Sequence, residues 1–183
     1  MRFLKSLLVF VMILSMLLVA VVVLGVTGGY IYLHLQKPQY TGEVILKGLN
    51  TEATVHFDGF GIPHIYGSSE EDVYFALGFV HAQERLFQME MMRRTAAGRL
   101  SEILGPDLLE TDTFFRTLGI NHRARQSADI FFAEHTQPYQ KAALAYLAGV
   151  NAYLDTGKRP VEFAILNIPK QYFTPRDIYL VGS

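Results

Sequence analysis

Hydrophobic and polar positions split the chain into one unbroken apolar run and a longer, patterned remainder. From Ser6 through Leu33 there is no charged side chain, and Leu7 to Leu24 is almost wholly Leu, Val, Ile, Met, Phe and Ala. At roughly 1.5 Å per residue, about 20 such residues cross a hydrocarbon core of about 30 Å. Residues 1–35 therefore read as a transmembrane helix, with membrane contact along residues 7–33. Arg2 and Lys5 precede the run, which orients the amino terminus to the cytoplasm and exports the remainder of the chain. The run exceeds a secretory h-region and offers only Val26-Thr27-Gly28 as a poor cleavage candidate, so an uncleaved signal anchor is expected. Secretion after signal cleavage is the alternative.

Past the run, composition turns polar and turn-forming, and residues 36–42 read as a membrane-proximal linker to a folded region at 43–183. Val44 to Leu49 and Thr54 to Asp58 read as short strands, because Ala53, Val55 and Phe57 alternate with polar neighbours. Asp58-Gly59-Phe60-Gly61 is turn chemistry, and Pro63 favours an extended Ile62, so a β-hairpin is predicted. Ser68 with Glu71 three residues later predicts a helix start, reinforced by the negative charge of Glu70, Glu71 and Asp72. This helix is apolar on nearly every side from Val73 to Ala82. Beyond Ala82 it keeps one stripe through Leu86, Met89, Ala96, Leu100 and Ile103; Gly98 is placed to break or bend it, and Gly105-Pro106 ends it. Two more helices are predicted at Asp112 to Phe132 and Pro138 to Asp155, the second with Ala143, Leu147, Val150 and Leu154 on one face. Arg159 to Thr174 reads as an irregular loop, and Pro175 opens a further helix.

The net charge of -1 carries no nucleic-acid footprint, and no nucleic-acid partner is expected. With no cysteine there are neither disulfides nor thiolate metal sites. Ser68, Ser69, Ser101 and Ser127 lack a GxSxG-type setting and read as caps and surface residues, so no catalytic residue is assigned. His56 and His64 flank the turn, and His81-Ala82-Gln83-Glu84-Arg85 lacks the HExxH order; all three histidines read as structural or surface groups, against the alternative of metal ligands. Arg93 falls on the helix line of Ala82 and Leu100, inside the apolar stripe, and must find a partner there. A salt bridge or carbonyl cap is the expected answer, with substrate contact as the alternative. Glu90 and Arg94 have the favourable i,i+4 order and read as an exposed pair worth about 0.2 to 0.5 kcal/mol. Met89, Met91 and Met92 with Phe87 read as core packing, against an adaptable acyl-binding surface.

Three blocks carry a family resemblance: GIPHIYG from Gly61, GFVHAQERLFQMEMMRR from Gly78, and GRLSEILG ending at Gly105. Together they resemble the amino-terminal, or α, region of the penicillin acylase (penicillin amidase) family. The resemblance implies an α+β fold: the mainly helical α part of an αββα amino-terminal nucleophile hydrolase, with a short β-hairpin. It implies a precursor, or zymogen, cut into an α part, a spacer and a β part whose first residue, a serine, is the nucleophile. The free α-amino group there, with a pKa of roughly 7.7 to 8, takes the nucleophile's proton. The implied activity is hydrolysis of a linear amide in an N-acylated substrate, of the β-lactam or N-acyl homoserine lactone class. The family's α part continues past the segment that Ile178 to Ser183 resembles, so the α region is expected to be truncated here. The acyl-pocket residues and the α-side carboxylate that helps hold calcium in some members lie beyond it. Substrate-binding residues are thus unassigned, no cofactor is expected in this chain, and calcium belongs to the full enzyme.

The implied partner is the downstream β part, and the implied location is the periplasmic side of a membrane. The fragment alone is expected to be inactive and poorly stable, because apolar helix faces await that partner. The competing reading is a non-catalytic, membrane-anchored helical interaction module.

Overall fold

The computed structural model describes residues 2–134 and 136–181. They form two compact units, Met1–Lys37 and Pro38–Ser183. The first is a single helix, α1 (Arg2–Leu35), whose stretch Ser6–Leu35 has a mean hydropathy of 3.3 in its most apolar window. Among the described residues it is the one helix long and apolar enough to cross a membrane, a property that signal sequences share.

The second unit opens with strands β1 (Ala53–Phe57) and β2 (Pro63–Gly67), paired antiparallel with Val55 opposite Ile65. The turn between them closes on Asp58, whose carboxylate accepts from the N–H groups of Phe60 and Ile62, while Gly61 takes φ +77°. The expected strand at Val44 to Leu49 does not form; only an isolated bridge joins Lys47 to Leu49. Val44, Leu46 and Leu49 instead face a small cleft lined also by β1 and by Ala76 and Val80 of the next helix. This segment forms a strap. Tyr40, placed in the linker by sequence, packs edge-on against Phe57 and donates its hydroxyl to Glu84.

The long helix α2 (Glu70–Ala97) begins one residue later than the Ser68 motif suggested. Ser69 is the N-cap and accepts from the Asp72 N–H at 3.1 Å, while its hydroxyl donates to the Asp72 carboxylate. Asp72 wins over Glu71 because it also receives the strap, through the N–H groups of Asn50 and Thr51 and the Thr51 hydroxyl. The helix bends at Arg85 (φ −135°, ψ 16°) and ends at Gly98, the position the sequence marked to break or bend it, short of Gly105. Gly98 adopts φ +64° in a crowded spot, where a β-carbon would press on Arg116 and on the Asp112 carbonyl. Leu100 accordingly caps, and Ile103 lies within, a separate short helix, α3 (Ser101–Leu104).

A 3-10 turn at Pro106–Leu108 leads into α4 (Leu109–Leu118) and α5 (Ile120–Phe131), where one helix was expected. Gly119, at φ +70°, divides them and lets the chain reverse. Then come α6 (Pro138–Thr156), α7 (Val161–Ile165) inside the segment read as an irregular loop, and α8 (Pro175–Val181). In α7 the burial of Phe163 recruits a turn of helix from a stretch whose prolines had argued against one.

The core lies where α2 crosses α6. Ala82, Leu86 and Met89 meet Leu147, Val150 and Tyr153, with Phe163, Ile168 and Phe173 closing the far side. At the crossing the two backbones touch. A β-carbon on Gly78 would collide with the Tyr146 carbonyl, and one on Gly149 with the Phe75 carbonyl. Asn151 then pins the incoming loop by pairing its amide with both the N–H and the carbonyl of Phe173.

Gly149→Ala should therefore destabilise the protein by at least about 1–3 kcal/mol, since no side chain can yield at a backbone contact. Gly59→Ala, where a β-carbon meets nothing within 4 Å, should be near neutral; thermal melts compare the two. A second expectation concerns acid. The Thr51 hydroxyl, with the Asn50 N–H and Ser69, holds the Asp72 carboxyl below its ordinary pKa. Burial pushes Asp112 up, but the Ser101 hydroxyl and the N–H groups of Ser101 and Leu100 outweigh it and leave that group lowered too. A pKa depressed on folding stabilises above the unfolded value and ceases to do so as pH falls through the folded one. The urea midpoint should fall as pH drops below about 4. Asp72→Asn should be weaker at pH 7 and lose less over that same range.

Candidate functional site

The strongest concentration of charge inside the second unit lies on the last turns of α2. Arg93 has the partner its position demanded. Its Nε donates to Glu90 Oε2 at 2.6 Å, its Nη1 and Nη2 reach the carbonyls of Tyr172 and Gln171, and Asp177 stands 4.0 Å away. The guanidinium lies 4.2 Å from the centroid of the Phe173 ring. Burial lowers the Arg93 pKa against the opposing pull of Glu90 and Asp177, and the group stays charged because arginine starts so high. Its surroundings bind the protein's own loop, so the geometry gives the salt bridge and carbonyl cap.

Glu90 and Arg94 correct an expectation. They do pair, at 2.5 Å, but both are almost wholly buried, with side-chain exposures of 1% and 3%. Arg94 runs on to Glu102, which also takes two bonds from Arg99. The exposed-pair value of a few tenths of a kcal/mol does not apply to a carboxylate gripped by two buried guanidinium groups.

Three aspartates to which the sequence assigns no functional role do the positioning. Asp72 holds the strap. Asp112 accepts from the N–H groups of Leu100 and Ser101 and from the Ser101 hydroxyl, fixing the turn after α2. Asp177 accepts from the N–H and hydroxyl of Thr174 at the start of α8. Ser69-x-x-Asp72 and Thr174-x-x-Asp177 share a capping spacing that could have revealed two of them. Asp112 acts eleven and twelve residues away and leaves no local signal.

Ser69 and Ser101 thus serve carboxylates and backbone at helix starts, Ser68 is exposed, and Ser127 is half-buried. His56 and His64 are register partners on the hairpin and both exposed; His64 lies 3.4 Å from Asp58. His81 places Nδ1 3.1 Å from the Tyr146 hydroxyl, and burial lowers its pKa, which keeps it neutral near pH 7. Among the described residues no group of three or more His, Asp or Glu side chains is placed to hold a metal ion. Met89 is core, Phe87 and Met91 pack against it, and Met92 is exposed. Between α2, α6 and α8 an open, mainly apolar recess of about 470 Å³ remains.

Replacing Arg93 with Met should cost about 3–5 kcal/mol in urea unfolding, because Glu90 and Asp177 would be left buried with less countercharge. Arg93→Lys should recover only part, since one ammonium cannot reach Glu90 and two carbonyls in a planar fork.

The comparisons with known proteins agree on one lineage. The family model described as penicillin amidase matches residues 52–183, from the hairpin to α8. The penicillin acylase 2 proenzyme of Pseudomonas sp. strain SE83 is 42% identical over 139 residues, covering 75% of this chain and 17% of that protein. The acyl-homoserine lactone acylase QuiP of Pseudomonas aeruginosa is 37% identical over 146 residues, covering 79% and 17%. The chain thus spans about a sixth of the length of these relatives. A thermostable penicillin G acylase from Alcaligenes faecalis superposes with a TM-score of 0.61 at 25% identity, over 71% of this chain and 69% of that one. With the hairpin, the glycine crossing and the buried arginines all inside the matched span, the chain belongs to the penicillin amidase family.

Proposed function

We propose that this chain is the α region of an acylase-type amidohydrolase, and that its role is to scaffold a nucleophile carried on a downstream β part. The observation that carries the reading is the unbroken family match over residues 52–183, together with relatives named as acylases and as a proenzyme. The full protein hydrolyses the amide of an N-acylated substrate, of the β-lactam or N-acyl homoserine lactone class. A serine hydroxyl at the start of the β part attacks the amide carbon, and its proton passes by way of the free α-amino group to the leaving amine. Water then attacks the acyl ester, and the carboxylic acid departs with the serine restored. The helices of this chain cover one side of an αββα sandwich, and the hairpin extends its edge. Helix α1 anchors the assembly, with the catalytic region on the extracytoplasmic side.

In this scheme the residues described here position and stabilise. The paired carboxylates and guanidiniums at the end of α2 hold the 171–177 loop, and the strap fixes the chain's entry. Expression of the complete gene product should release free acid from penicillin G or from an N-acyl homoserine lactone, whereas residues 38–183 alone should release none. Turnover by the isolated 38–183 piece, or none by the complete product on either substrate class, would overturn the reading.

A further inference from the structure

The recess between α2, α6 and α8 has the form of a helix-binding trough. On α2 its wall is the row Glu70, Tyr74, Leu77 and His81, and on α6 the row Tyr139, Ala142, Ala143 and Tyr146. Both rows follow i, i+3/i+4, i+7 spacing, so each is one continuous helical stripe. The close approach at Gly78 and Gly149 fixes the angle at which the stripes diverge. Ile178 of α8 closes one side.

Of the trough's polar groups, Glu70 is an exposed carboxylate at one end of the α2 row, and the others are engaged or neutral. Asp177 is held by Thr174 and lies near Arg93 and Arg176, and His81 faces the Tyr146 hydroxyl without charge. A small anionic ligand would find no lysine or arginine among the residues that line it. An apolar polypeptide surface would find Tyr74 and Leu77 on one side and Tyr139, Ala142, Ala143 and Tyr146 on the other, apolar area whose exposure to water costs about 25 cal/mol for each Å² left uncovered.

We infer that this trough seats an amphipathic helix from the polypeptide beyond residue 183 in the full-length protein. The inference rests on the proposed function, which requires such a continuation. Two observations favour that occupant over a separate partner. The relatives are about six times as long as the matched span, so most of the polypeptide is available to cover it. Moreover α8 itself forms a wall, so a continuing chain departs from the trough's own rim, at the high effective concentration of a short tether. Helix-in-groove packing needs only such paired stripes and an apolar face to match.

The test uses the full-length protein with Tyr74 replaced by photoreactive benzoylphenylalanine. Irradiation and mass spectrometry should map cross-links to residues beyond 183 of the same polypeptide. Cross-links confined to residues 38–183, cross-links to a second copy, or none at all would overturn the inference. As a second measurement, a thiol introduced by Ala143→Cys should react with maleimide more than about tenfold slower than one from Gln126→Cys at an exposed position of α5; equal rates would also overturn it. An acyl-release assay on the same samples separates the two readings. Activity without downstream cross-links removes the docked helix and leaves the proposed function standing. Downstream cross-links without acyl release do the reverse.

Discussion

Helices α2 and α6 cross with Gly78 against the Tyr146 carbonyl and Gly149 against that of Phe75, and this backbone contact governs the rest of the second unit. Two helices that close leave no room for side chains between them, so their rotation about each other is fixed and the flanking residues interlock. Val150 and Ala82 are fully enclosed as a result, and Phe79 meets Tyr153 edge-on. The core is then completed by the segment from Phe163 to Phe173, with Ile103 and Ile178 packed against it. Asn151, just past the crossing in α6, can reach that segment because the crossing puts it there.

Buried charge does a different task from buried apolar surface. Packing between α2 and α6 supplies cohesion, but it does not decide where the loops run. The loops are located by carboxylates and guanidiniums that have only one satisfying arrangement. Glu90 binds Arg93 and Arg94, and Arg93 passes the constraint to the carbonyls of Gln171 and Tyr172. Asp72, Asp112 and Asp177 do the same for the strap, the turn after α2 and the start of α8. An unpaired ion in such a place is expensive, which makes each contact selective even where its net contribution to stability is modest.

This division suits a scaffold. The segments at 98–101 and 171–177 are held by charged side chains bonded to backbone and hydroxyl groups, while the trough between α2, α6 and α8 stays open. Helix α2 serves both ends. Its first half makes the trough and the crossing, and its second half, beyond the bend at Arg85, carries the ion network. Of the residues that attract notice in the sequence, Ser69 and Ser101 serve its caps, His56 and His64 lie on the exposed hairpin, and His81 stands in the trough wall.

Local chemistry was sufficient for the apolar helix α1, the hairpin turn at Asp58 to Gly61, the proline starts of α6 and α8, and the need of Arg93 for a partner. Each depends on residues a few positions apart, where spacing and steric preference decide. The family blocks at Gly61, Gly78 and Gly98 to Gly105 likewise stand in the sequence itself. Tertiary structure decided the rest. Whether Ser68 or Ser69 caps α2 depended on a strap about 20 residues upstream that reaches Asp72 and not Glu71. Whether Glu90 and Arg94 face water depended on tertiary packing, which buries both. The sequence marked Gly98 as a break or bend, but that the helix stops there, and that Gly119 divides α4 from α5, only the structure showed. A period of 3.6 residues shows which face of a helix is apolar, but it holds no record of what arrives to cover it, because that contact is made by chain distant in sequence.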